Sequence, residues 1–169
     1  MKPSIKVFSA SLLGLLFLSP MAAQAESVTI DIKRLKMQTA LKIAEAAIEQ
    51  CRKEGVQIAV TVVDRGGHEQ VVLRDELAMD ITIPISKQKA HTAMAFNTPL
   101  SQMEGRFKGS YAVPKIDGLV VSAGGIPINV GGNLMGGIGV SGAPSGEIDE
   151  KCAVAGLKAV EVDLEMEGM

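Results

Sequence analysis

Histidine and cysteine are scarce in this chain, with two of each among 169 residues. That leaves no His/Cys cluster of metal-ligand spacing. Neither cysteine stands in the setting of an activated thiolate, and Ser86 or Ser141 would need a distant histidine to form a triad. The glycine pairs do not make a dinucleotide fingerprint, because no G-x-G-x-x-G opens a helix after a strand. No basic cluster marks a nucleic-acid surface. Tryptophan is absent and tyrosine occurs once, against four phenylalanines and nine methionines. Beyond the first 25 residues no segment is both long and apolar enough to span a bilayer.

What is present begins with a leader. Lys2 and Lys6 form a basic start, Val7 to Leu18 is a short apolar run, and Ala23-Gln24-Ala25 fits a small-x-small cleavage site. Residues 1–25 are thus expected to be a secretory signal peptide, leaving residues 26–169 as a single domain with no membrane insertion after cleavage. The destination is the periplasm or the exterior. Without Lys2 and Lys6 the formal charge moves from −2 to −4, as 15 basic residues then face 19 acidic ones. In an exported protein an even pair of cysteines favours a disulfide. Met37, Leu41, Ala44, Ile48 and Cys51 share one helical stripe, and Cys152, Ala155, Ala159, Val162 and Met166 share another. If those helices pack antiparallel, Cys51 can meet Cys152; two buried free thiols are the alternative, since spacing does not fix the separation.

The glycine-rich stretch Val120 to Gly142 is not a linker, because apolar residues separate its glycines. It reads as three short strands with turns at Gly124-Gly125 and Gly131-Gly132-Asn133. Gly136, Gly137 and Gly139 then fall inside a strand, where a bare backbone implies close approach by a helix, a subunit or a flat ligand. Before this stretch the pattern predicts an amphipathic helix from Ile32 to Lys53, and a hairpin of Val56–Val63 and His68–Arg74 around Asp64-Arg65-Gly66-Gly67. A helix from Pro84 to Phe96 and a short one from Thr98-Pro99 to Phe107 follow, then a loop over 108–117. Ser145 is a candidate N-cap for a last helix. The sum is an α+β fold with a five-stranded, mainly antiparallel sheet. Its terminal helices share one face, and the middle helices lie beside it.

Several of these stretches, in order, resemble the GlcG/HbpS-like family. Val62-Val63-Asp64 with Gly66-Gly67-His68 is similar to its VVD-x-GGH hairpin. Arg74, Lys89-Ala90 with Thr92-Ala93, Gly124-Gly125-Ile126-Pro127 and Gly136 to Gly142 follow in the family's order. Asp149 and Gly156 fit its last helix. The resemblance covers nearly all of the chain beyond the leader. It implies a profilin-like α-β-α fold, homo-oligomers, and haem or a related tetrapyrrole as ligand in some members. His91 stands where the family often carries arginine, which makes it a candidate haem iron ligand.

On that expectation the ligand-binding candidates are His68, Arg74, Lys89, His91, Phe96, Met103 and Tyr111. Phe96, Met94, Met103 and Phe107 would form an apolar slot; Lys87, Lys89, Arg106 or Lys115 would meet the propionates, and Tyr111 could ligate iron through its phenolate. Three readings follow. The first is an exported haem-binding protein in haem or iron handling or sensing. The second is an enzyme on a small carboxylate, with His68, Arg74 and Lys89 around one pocket. The third is an oligomeric interaction module without a ligand.

Overall fold

The computed structural model describes residues 27–109 and 112–168. Residues 1–25, expected to be a leader, and Tyr111 lie outside them. Ser27–Asp31 carry no helix or strand and fall outside the second unit, which begins at Ile32. The helix expected from Ile32 starts later, as α1 (Met37–Lys53). Three cations, Lys33, Arg34 and Lys36, oppose the positive end of a helix dipole, and Lys36 is extended. Leu35 instead plugs the core and Arg34 pairs with Asp64. The helix ends at Gly55, whose φ of 76° needs no Cβ.

The hairpin is β1 (Ala59–Asp64) and β2 (Glu69–Arg74), as expected. The glycine-rich stretch gives only two strands, β3 (Gly125–Val130) and β4 (Asn133–Ser141), joined at Gly131-Gly132. The sheet therefore has four strands, all antiparallel, in the order β2-β1-β4-β3. The expected fifth strand at Val120 fails because side chains take its backbone donors. Val120 N–H donates to the Thr92 hydroxyl, Ala123 N–H to Glu104 and Gly124 N–H to Glu150.

Period-two alternation splits the sheet into two faces. Val60, Val62, Ile138 and Val140 join the stripe of α1 (Ala40, Ile43, Ala47) and of α3 (Gly146–Lys158) in the main core. Thr61 and Val63 point the other way, to α2 (Thr82–Phe96). The terminal helices share one face as expected, but α2 covers the opposite face rather than lying beside them. That placement explains the strand glycines. A Cβ at Gly137 would lie 2.4 Å from the Ala90 carbonyl oxygen, and one at Gly139 would lie 2.0 Å from that of Ser86. The close neighbour is a helix backbone. Gly139→Ala is expected to cost about 1–3 kcal/mol by overpacking, read from urea unfolding; a stability within error of the parent would mean that α2 rides higher on the sheet.

Past α2 the expected helix shrinks to one 3₁₀ turn, Leu100–Met103. Ser145 caps α3, its hydroxyl accepting from Ile148 N–H at 3.4 Å. The chain breaks after Lys158 and resumes as α4 (Glu161–Gly168), so the last helix is two. Cys51 and Cys152 are bonded, with Cα atoms 5.5 Å apart, and join the end of α1 to the start of α3.

Candidate functional site

The site forms at the end of the sheet where β1 turns into β2. Asp64 is buried and organises the turn: its Oδ1 accepts from Gly66 N–H at 2.8 Å and His68 N–H at 3.0 Å. Burial alone would raise this carboxyl, but those two N–H groups and the charge of Arg34 hold it below the ordinary aspartate value. A charged acceptor therefore fixes the loop. Gly67 has φ 82° and no side chain to fill the space beside it. A Cβ there would come 2.6 Å from the His91 ring and 3.4 Å from the Met94 methyl. The bare turn lets α2 lay His91 and Met94 against it.

Both histidines thus gather at one end of the molecule, from segments 23 positions apart in the chain. They differ in setting. His68 is largely exposed and its Nδ1 is 3.3 Å from the Asp64 carboxylate. His91 is half-buried, next to Ala90 and three residues before Met94, which pack with Val63 and Leu134 in a small apolar cluster. Two cations border this end. Arg65 donates to the Leu134 carbonyl at 3.3 Å, and Lys87 pairs with Glu69. Imidazole, thioether and cation together can meet a flat apolar ligand that carries a metal and carboxylates.

The other expected residues go elsewhere. Phe96 packs with Phe107, ring centroids 6.0 Å apart, in a separate cluster with Leu100 and fully buried Met103. Met103 is core, not a pocket wall. Arg74 lies at the far end of β2 from His68, roughly 20 Å along the strand, and donates to the Ala78 carbonyl. Lys89 points into the interior, where it pairs with Asp149 at 2.8 Å; both side chains are 5% exposed. Burial raises the Asp149 carboxyl above the ordinary value, partly offset by Lys89. So His68, Arg74 and Lys89 do not surround one pocket, because strand length and helix face separate them. Glu150 accepts from the backbones of Ser101 and Gly124, which ties the α3 start to the loops. Among the described residues no group of three or more His, Cys, Asp or Glu is placed to hold a bare metal ion.

Asp64, Arg34, Arg65 and Leu134 were not among the expected site residues. Asp64 had a legible signal, since an aspartate two residues before a glycine is an Asx-turn former. Leu134 had none, because only the packing of the sheet against α2 brings it beside Ala90 and Met94.

Comparison with known proteins gives the family. A family model described as "Haem degrading protein HbpS-like" matches residues 35–158. The chain belongs to the HbpS-like family. The crystal structure of HbpS is similar over 80% of this chain and 97% of its own, at 36% identity and a TM-score of 0.76. A structure of PduOC in complex with haem is similar over 75% of this chain and 95% of its own, at 26% identity and a TM-score of 0.71. Protein GlcG of Escherichia coli K12 is 31% identical over 108 residues, 63% of this chain and 81% of GlcG. The corrinoid adenosyltransferase PduO of Salmonella typhimurium is 29% identical over 126 residues, and the match spans 37% of that enzyme. An HbpS-like chain with a four-stranded antiparallel sheet is therefore the frame for function.

Proposed function

We propose that this HbpS-like protein is exported and binds haem or a related tetrapyrrole at the hairpin end of its sheet. The observation that carries the reading is the gathering of His68 and His91 around a glycine-bared turn beside Met94 and Leu134. A relative whose structure is a haem complex supports the ligand class. The disulfide between Cys51 and Cys152 supports an oxidising compartment, as the leader does. Self-association into homo-oligomers is part of the same reading.

In this arrangement His91, half-buried at the apolar cluster, would offer its imidazole to the iron. Arg65 and Lys87 would be the cations for its propionates, and Met94 and Leu134 would supply apolar contact to it. His68 stays with Asp64. Bound haem would supply redox-active iron, in handling or sensing. No observation favours the small-carboxylate enzyme, because its three residues do not converge.

A haem titration of residues 26–169, followed at the Soret band, tests this. The parent should bind saturably at fixed stoichiometry. His91→Ala should weaken binding at least about tenfold, on the order of 1.4 kcal/mol, and move the band; His68→Ala should do neither. Unsaturable binding shared by all three would show only a sticky apolar surface.

A further inference from the structure

On the face of the sheet that carries the terminal helices, the helix layer stops short of one corner. α3 ends at Lys158, the chain turns at Ala159-Val160, and α4 resumes against β3 and α3. Two adjoining cavities lie there. The first, of about 390 Å³, is walled by Leu35, Val130, Met135 and Leu164. The second, of about 350 Å³, has Val130 and Leu164 in common with the first and continues along Ile126, Ile128 and Leu157. All of these apolar residues belong to the main core or pack on it, so the walls are fixed. Each cavity is large enough to hold a small organic molecule.

One end of this cleft is cationic. Lys33, Arg34 and Lys36 line the first cavity from the segment before α1. Arg34 is held by Asp64 at 3.3 Å, but Lys33 and Lys36 take part in no ion pair among the described residues. Asp163, which lines the same cavity, pairs with Lys42 at 3.8 Å. Crowded cations repel one another, and the first turn of α1 carries no acidic residue to offset its dipole. A bound anion relieves both. The other end differs: Glu161 and Glu165 stand there beside Lys158 and offer nothing to a second carboxylate. Cations at one end, with an apolar length behind them, suit a ligand with one anionic head and one apolar tail.

From this we infer that the cleft binds a free acyl-chain carboxylate, its head at Lys33 and Lys36. The tail runs past Val130 and Leu164 to Ile126, Ile128 and Leu157. This site is separate from the one at the hairpin end. Leu134 of that site and Met135 of the cleft are consecutive in β4 and point to opposite faces of the sheet. The acyl-chain site therefore does not depend on the haem reading. A membrane surface is a poorer match. The apolar walls are recessed in cavities, and Glu161, Asp163 and Glu165 beside them repel anionic headgroups.

Isothermal titration calorimetry of haem-free residues 26–169 with decanoate, below its micelle threshold, tests this. The parent should bind one decanoate per chain. Affinity should rise about fourfold for each methylene added from hexanoate upward. Lys33→Glu with Lys36→Glu should weaken decanoate binding at least about tenfold. The same charge change made elsewhere, Lys53→Glu with Lys108→Glu, should leave it as in the parent. All four lysines are exposed, so both double variants should keep the parent's far-ultraviolet dichroism. Absence of saturable binding, an equal loss in the two double variants, or 1-octanol binding as tightly as octanoate would each overturn the proposal. Loss of decanoate binding in His91→Ala would move the ligand to the hairpin end and overturn it too. A parent that floats with phosphatidylglycerol vesicles but takes up no decanoate would overturn it in favour of a membrane surface.

Discussion

Replacing both Cys51 and Cys152 with alanine is expected to lower the unfolding free energy by about 4–5 kcal/mol. The bond closes a sequence separation of 101 residues, so its removal frees a long loop in the unfolded chain. Native geometry adds little counter-strain to expect, because the helices it joins already meet closely. A Cβ at Gly156 of α3 would lie 2.6 Å from the Ile43 carbonyl oxygen of α1. Both sulfurs are in fully buried residues, so a reductant acts on the opened chain rather than on the native one. Urea titrations of parent and double variant, with and without reductant, check this. The parent with reductant should approach the variant. A difference below about 1 kcal/mol would show that the thiols are not paired in the protein as produced.

Lys89→Met is expected to cost about 3–5 kcal/mol, the range for breaking a buried ion pair by removing one partner. Lys89 reaches from α2 to Asp149 at the start of α3, so the pair pins the layer on one face of the sheet to the layer on the other. Without it the carboxylate keeps only the Ala143 N–H at 3.0 Å. Its sign with pH follows from burial, which already raises Asp149 above 3.8 in the folded protein. A folded-state carboxyl that holds its proton more tightly is favoured in acid and penalised above its folded pKa. The deficit of Lys89→Met should thus be full near neutrality and shrink as pH falls toward the ordinary aspartate range. Lys89→Met with Asp149→Leu should recover most of the loss, because no charge is left buried. A single variant as stable as the parent at pH 7, by urea or thermal unfolding, would mean the pair is solvated and the layers are held by apolar packing alone.

Much of the site's frame was legible beforehand. The β1–β2 hairpin follows from Val62-Val63-Asp64 and Gly66-Gly67, since turn chemistry is local: the carboxylate and the bare glycine act within five residues. Both histidines could be named, but their meeting could not. His91 reaches the turn because α2 crosses the sheet face, a long-range event. Lys89 was equally opaque. In the sequence it reads as a cation for a ligand's carboxylates, and only the depth of α2 against Gly139 shows that it is buried against Asp149.

By itself the sequence determined the α+β class, the hairpin, the capped last helix and the family resemblance. These rest on periodicity, turn residues and motif order, all of which act over short spans. The stripe expected from Cys152 to Met166 is not the buried one: Ala153, Gly156 and Val160 are buried while Val162 and Met166 are exposed. Tertiary structure decided the rest. It reduced five strands to four, because side chains of α2, α3 and the Glu104 turn took the backbone donors of Val120 to Gly124. It put α2 on the face opposite the terminal helices, sent Met103 and Lys89 into the interior, and left β2 as an open edge. Each of these depends on which backbone approaches which. That is set by packing across the sheet, where a glycine's missing Cβ counts for more than any local propensity.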